Sequence, residues 1–405
     1  MKLPVLHSIP PAWHKIPLKS FSRAFKGRGK YSSDSLLDPL RDFLGTRNIY
    51  YLTSGRAALW LLLMALSRIS PGRLEVVLPA YTCPAVASAV LKAGLKPILC
   101  DNNLSDFGFA GEELRKKINK NTLAVIVVHL FGYPANIEEV KDCCRQYNAF
   151  VVEDAAQAFG NSFVDFPEKK LGLLGAAGFF SFGRGKPINV MHGGVLVTGS
   201  EEIYLEAGKV YENLDHRVRL GALKYEIVLA LSIMFSHPLL YWIPQRIPSL
   251  GLGKTIFEPE FTISNGMDCA AFLISKMIDS TEIEKEIRGK NALWYSINLE
   301  RSSVVGLPPS SQFPYIRYPL LINNRDLRDR ILAELTVRGT GAATFYPSPL
   351  NELAGLGERL EDNSIYPNAR KIGDSLITLP VHRGISPINR MKIKSIIQKS
   401  CAGYA

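Results

Sequence analysis

Three observations predict an α/β protein with a mostly parallel, doubly wound central sheet and a smaller α/β unit after it. Short apolar strands alternate with helices from residue 49 to residue 153, at the spacing of strand–helix–strand units. A second, shorter alternation runs from residue 315 to the C-terminus. The residues able to do chemistry cluster where strands end: 53–56, 81–83, 129–133, 154–157 and 181–186. In open α/β sheets, ligands collect at those carboxyl ends.

In chain order, residues 1–44 are rich in Pro, Ser, Lys and Arg with weak periodicity, and read as a wrapping arm or a partly ordered tail. Residues 45–265 read as the large domain and 266–405 as a linking helix with a small C-terminal domain. A strand over 49–52 runs into Thr-Ser-Gly-Arg and a strongly helical apolar stretch, an arrangement that either caps the helix with Ser54 or presents its free amides to an anion. Strands follow at 75–78, 96–100, 123–129 and 150–153, with helices at 84–92, 111–119 and 137–147 between and around them. Residues 179–198 read as a buried strand (Phe179, Phe180, Phe182), a loop carrying Lys186, the Gly193-Gly194 pair and a second apolar run.

Residues 227–243 interrupt the alternation with an apolar run centred on His237-Pro238, inside an insertion at about 217–258. The run falls short of the roughly 20 residues that span a bilayer. Two readings stay open: a buried helical hairpin, which is the plainer expectation, and a surface lying on a membrane, with Arg217, Arg219, Lys224, Arg246 and Lys254 as basic neighbours. From Met267 one long amphipathic helix is expected to run towards Leu299. A strand at 315–322, a helix at 324–338, a strand end at 344–347, a strand at 376–379 and a closing helix at 387–400 complete the chain.

Composition narrows the class. The 405 residues are 47% hydrophobic and 21% charged, as in an ordinary globular protein. Net charge is +11, but the basic residues are dispersed (23–30 and 116–120 are the densest runs), which argues against nucleic acid as a partner and leaves phosphorylated metabolites or an anionic membrane surface. Cys83, Cys100, Cys143, Cys144, Cys269 and Cys401 show no metal or disulfide spacing, so reduced thiols, a cytoplasmic setting and no metal site are expected. The N-terminus lacks the apolar core and cleavage site of a secretory signal.

Lys186 sits among Ser181, Gly183 and Gly185, which let backbone and hydroxyl approach an anion closely. Such an amine is able to hold the aldehyde of pyridoxal 5'-phosphate, a cofactor that also needs a carboxylate at its ring nitrogen, a phosphate cradle and a group over each ring face. Asp154, at a buried strand end, suits the carboxylate; as a plain alternative, it caps a helix. Gln157 suits a ring face or the ring hydroxyl. Ser54, Gly55 and Ser181 suit the phosphate, with Arg56 and Arg184 as charge partners.

These motifs resemble the DegT-type sugar aminotransferases, a branch of the fold type I pyridoxal-phosphate enzymes. SFGRGK at 181–186 is similar to their S-F-x-x-x-K, EDAAQAFG at 153–160 to E-D-A-A-Q-A-x-G, and SGRAAL at 54–59 to S-G-T-x-A-L. Segments 79–101, 129–137, 345–350 and 366–382 are similar to further family motifs, so the resemblance covers about 45–200 and 265–400. It implies a homodimer whose sites form between subunits, with an amino group moved from glutamate onto a nucleotide-linked keto sugar for surface polysaccharide or glycan precursors. It implies that Lys186 binds the cofactor covalently and carries the α-proton, where related dehydratases have histidine. Asp154 then pairs with the ring nitrogen, Gln157 lies near the ring, and Ser54, Gly55 and Ser181 hold the phosphate.

Three departures set this chain apart. Arg56 stands where the family has a small hydroxyl residue. Cys83 stands where an aromatic stacks on the ring, so that Tyr81 takes over or the stacking is lost. The segment that reaches the partner's cofactor is replaced by FTISNGM, with Asn265 as its remnant. With the apolar insertion, these keep two other readings open: an enzyme acting on a lipid-linked or other keto substrate at the inner membrane, touching it through 225–243, and a non-catalytic regulator that binds the cofactor.

Overall fold

The structure, a computed structural model, describes residues 7–26, 33–214, 221–247, 250–251, 253, 255–360 and 362–402. Strands β1 (Ile49–Leu52), β2 (Glu75–Pro79), β3 (Lys96–Cys100), β4 (Thr122–Val128), β5 (Phe150–Asp154), β6 (Ala177–Ser181) and β7 (Gly194–Thr198) form one sheet in the order β1-β7-β6-β5-β4-β2-β3. The five strands from β3 to β6 are parallel, whereas β7 runs antiparallel to both β6 and β1. Every residue of β4 and β7 is buried, which is why both read as continuous apolar runs. The chain reverses its direction of travel across the sheet at β2, with β3 on one side and β4 on the other, so a crevice opens at their carboxyl ends.

The second sheet is small and antiparallel, in the order β10-β9-β8, with β8 at Val305–Gly306, β9 at Tyr318–Ile322 and β10 at Leu376–Leu379. The Arg325–Val337 and Pro387–Cys401 helices accompany it, close to their expected positions. Residues 8–14 form a strap between the two sheets. The Ser8 amide donates to Pro238 O (2.8 Å), the Ile9 amide to Gly339 O (3.0 Å), His382 Nε2 to Pro10 O (2.8 Å) and His14 Nδ1 to Pro187 O. No disulfide links any of the six cysteines.

Four expectations need correction. The helix from Met267 is two helices, Asp268–Ile278 and Thr281–Asn298, broken where the Ser280 hydroxyl bonds back to Met277 O and Thr281 packs on Gly160. The strand expected from 315 begins only at Tyr318, because the Tyr315 hydroxyl is tied to the backbone of Ser310. Residues 344–347 form no strand; the nearest pairing is a bridge between Ala343 and Thr378. The run at 227–243 is not a buried hairpin. The Gly221–Phe235 helix buries Tyr225 and Leu229 and exposes Leu223, Ile227, Val228, Leu231 and Met234. Arg217, Arg219 and Lys254 lie outside the described residues. Among the described residues, no helix is long and apolar enough to cross a membrane.

Candidate active site

The strand ends deliver one cluster. Asp154, the last residue of β5, is buried with Oδ1 accepting the Ala156 amide (3.0 Å). Burial pushes its carboxyl above the usual range, and the nearby Lys186 charge and the Ala156 amide pull it part of the way back. Gln157 lies one turn on. Its Oε1 accepts the Phe131 amide (3.0 Å) and its Nε2 donates to the Tyr346 hydroxyl (3.4 Å). Phe131, in the short turn after β4, holds a left-handed backbone (φ 58°), a strain of order 1–3 kcal/mol that aims its amide at Gln157.

The floor beneath is braced by Glu153. It accepts His129 Nε2 (2.9 Å) and the amides of Gly172 (2.8 Å), Leu174 (2.5 Å) and Gly175 (2.6 Å). Burial alone would raise this carboxyl, but the histidine and the amides outweigh it and hold it below its ordinary value.

Ser54, Gly55 and Ser181 form a neighbouring cluster. A Cβ on Gly55 would stand 2.8 Å from Ser181 Cβ, and one on Gly194 would stand 2.2 Å from the Ser54 carbonyl carbon, so β6, β7 and the start of the Gly55–Ile69 helix meet with only backbone between them. The Ser54 hydroxyl accepts the Ala57 amide (3.2 Å) and Ser181 Oγ accepts that of Gly183 (3.4 Å). The plain reading of Ser54 as a helix cap therefore holds, and it leaves amides of the first turn pointing outward.

Beside the cluster a cavity of about 670 Å³ is lined by Cys83, Gln157, Arg184, Gly185 and Lys186 on one wall. Arg317, Phe345 and Tyr346 come from the β9 side, Tyr241 and Gln245 from the insertion, and Ser8, Pro11 and Ala12 from the strap.

Three candidates stand elsewhere than expected. Tyr81 does not line the cavity. It is 1% exposed, and its hydroxyl donates to Tyr346 O (3.0 Å), so Cys83 and Tyr346 form the wall in its place. Arg56 is turned away, paired with Glu258 (2.7 Å) and lying over the Phe261 ring. Asn265 bridges Leu52 at the end of β1, next to the Ser54 turn, outside the cavity wall.

Tyr346, Arg317, Tyr241 and the strap are absent from the sequence-based candidates. Tyr346 belongs to the FYPSPL segment, but nothing in its spacing says which aromatic turns inwards.

A family model described as the DegT/DnrJ/EryC1/StrS aminotransferase family matches residues 27–215. An uncharacterized protein, MJ1066, of Methanocaldococcus jannaschii is 32% identical over 371 residues, 89% of this chain and 87% of that protein. The GDP-perosamine synthase of Vibrio cholerae is 31% identical over 176 residues, 44% of this chain and 46% of its own, so the chain spans about half the length of this curated relative. Among solved structures, Helicobacter pylori PseC, an aminotransferase involved in the biosynthesis of pseudoaminic acid, superposes with a TM-score of 0.77 at 20% identity, covering 98% of this chain and 99% of PseC. That likeness is one of fold.

Proposed function

Since the chain belongs to the DegT/DnrJ/EryC1/StrS aminotransferase family, we propose that it is a pyridoxal-phosphate-dependent transaminase. Its substrates are glutamate as amino donor and a nucleotide-linked keto sugar as acceptor, in surface polysaccharide or glycan precursor synthesis. The observation that carries this reading is Lys186 on the cavity wall with the buried Asp154 carboxylate beside it. Pyridoxal phosphate, when bound, supplies an electron sink for the carbon that loses its proton.

The residues fit that group. Lys186 would hold the aldehyde, and its Nζ would then carry the proton to and from the reacting carbon. Asp154 is buried with its charge only partly compensated, and a protonated ring nitrogen supplies the cation it lacks. Ser54, Gly55 and Ser181, with the outward amides of the helix start, suit a phosphate where no side chain would leave room. Gln157 is fixed at both ends of its amide and would present it to the ring.

The purified protein is therefore expected to be yellow, to lose the colour with glutamate and to regain it with a keto nucleotide-sugar. Lys186→Ala is expected to lower turnover by about 10³-fold or more. Failure to take up colour from added pyridoxal phosphate overturns the cofactor, and a transaminating Lys186→Ala variant overturns the role of the lysine. Colour without any response to amino donors favours the non-catalytic regulator.

A second reading concerns where the enzyme works, and the exposed face of the Gly221–Phe235 helix favours it. Ile227, Leu231 and Met234 fall on one side at helical spacing, with Lys224 on the same helix. We assign this face to contact with an anionic membrane surface on the cytoplasmic side, and the catalytic unit to a homodimer. Co-sedimentation with anionic but not neutral vesicles, lost in an Ile227→Ser, Leu231→Ser, Met234→Ser variant of unchanged solution mass, supports the contact. A variant that falls from dimer to monomer instead makes the face an interface between copies and overturns it.

A further inference from the structure

The cavity contains three cations, Lys186, Arg184 and Arg317, and no aspartate or glutamate lines it among the described residues. Arg317, half-buried just before β9, has no carboxylate within ion-pair distance among the described residues. Several other arginines in this fold have polar partners. Arg56 pairs with Glu258, Arg383 with Glu284, and Arg73 donates to the carbonyls of Thr122, Tyr147 and Asn148. Arg317 instead lies 5.4 Å from the centre of the Phe345 ring, an arrangement that holds the guanidinium plane without using its N–H groups as ion-pair donors.

Its position is also specific. Arg317 Nη2 stands 3.5 Å from where a Cβ on Gly185 would be, so it adjoins the residue next to Lys186. Tyr241, brought in by the insertion, is close enough to Arg317 and Arg184 to feel both charges, which partly offset the upward push of burial on its hydroxyl. That hydroxyl stays protonated and acts as a donor. A guanidinium fork, a second guanidinium and a phenol thus converge on one space, and acceptor oxygens must come from the occupant.

We propose that Arg317, with Arg184 and Tyr241, forms a subsite for a carboxylate on the molecule whose amino or keto group reacts at Lys186. The planar, two-oxygen carboxylate matches the guanidinium fork, and the closeness to Gly185 sets the charge near the reacting carbon. The carboxylate has two sources, the amino donor or an acidic keto sugar. The subsite rests on the transaminase reading for its purpose, but its binding is measurable without turnover.

The experiment uses cofactor-loaded enzyme and glutarate, an unreactive dicarboxylate, in calorimetry, followed by the two half-reactions read from cofactor colour. Arg317→Gln is expected to weaken glutarate about 10- to 100-fold, and Tyr241→Phe, which keeps the ring, about 5-fold. A parallel loss in the glutamate half-reaction assigns the subsite to the donor. A loss confined to acidic keto sugars, with glutamate unchanged, assigns it to the acceptor. In either case a neutral keto sugar reacts as before. Glutarate binding that is unchanged in both variants overturns the proposal, as does an equal loss with neutral keto sugars or release of the cofactor by Arg317→Gln. Arginine-dependent glutarate binding without any half-reaction in the wild type keeps the subsite and removes the transaminase reading instead.

Discussion

Residues 179–198 and 227–243 are both predominantly apolar segments of similar length, and the fold treats them in opposite ways. In the first, Phe180, Phe182, Val195, Leu196 and Val197 are at most 1% exposed, because the sheet lies beside them and helices cover both faces. In the second, Leu229 is fully buried while Leu231 and Met234 are 45% and 46% exposed, because only one side of the helix is packed against other described residues. An apolar sequence states only that burial is favourable; a partner elsewhere in the chain decides whether it happens. The Lys186 loop is anchored between two enclosed strands, and the insertion brings Tyr241 to the cavity while leaving an apolar face outside.

The sharpest way to break this contrast is to spoil the enclosed segment. Gly194→Val puts a side chain into the backbone of Ser54 and Gly55, and a loss of about 4 kcal/mol or failure to fold is expected in denaturant melts. An unchanged melt means that the sheet and helix do not meet as described. Next in size, Leu229→Ala empties the buried side of the insertion helix and is expected to cost about 3 kcal/mol by the same measurement.

The junction of the two regions is expected to be acid-sensitive. His192, at the end of the lysine loop, accepts the Met267 amide (3.3 Å) and packs on Tyr225 of the insertion helix (ring centroids 5.5 Å apart). Burial lowers its pKa from 6.5 to about 4. Its neutral form is favoured in the folded state, so the unfolded chain takes up the proton first as pH falls. The stability it contributes is complete above pH 6.5, is lost between 6.5 and about 4, and levels off below. The loss is on the order of 1–3 kcal/mol, and His192→Asn is expected to flatten that part of the stability–pH curve. A slope unchanged by the substitution places the acid sensitivity elsewhere, with His382 (lowered to about 4) the next group to replace. The smallest effect belongs to the outer face. Leu231→Ser is expected to change stability by under about 0.5 kcal/mol, and a loss like that of Leu229→Ala means the face is already covered.

Much of this was legible from neighbouring residues in the chain. The strand at Ile49–Leu52, the cap at Ser54 and the helix after it follow from local periodicity and capping chemistry. Lys186, Gln157 and the buried Asp154 stood out because each lies at or just after the end of a buried strand, and the sheet brings strand ends together. The break at Ser280 was hidden because both sides keep helical periodicity, and its cause, the fit of Thr281 on Gly160, is a contact across more than a hundred residues.

Side-chain direction was equally out of reach. Tyr81 and Cys83 sit two residues apart, yet the hydroxyl of Tyr81 is claimed by Tyr346 and only Cys83 reaches the cavity. Arg56 and Arg317 are alike as residues, but Glu258 neutralises one and, among the described residues, no carboxylate pairs with the other. The sequence by itself determined most of the elements, the parallel sheet and the identity of the lysine loop, since those depend on patterns within a few residues. The tertiary structure alone decided which charges are paired and which apolar face is left bare, since both depend on partners that only folding brings within a few ångströms.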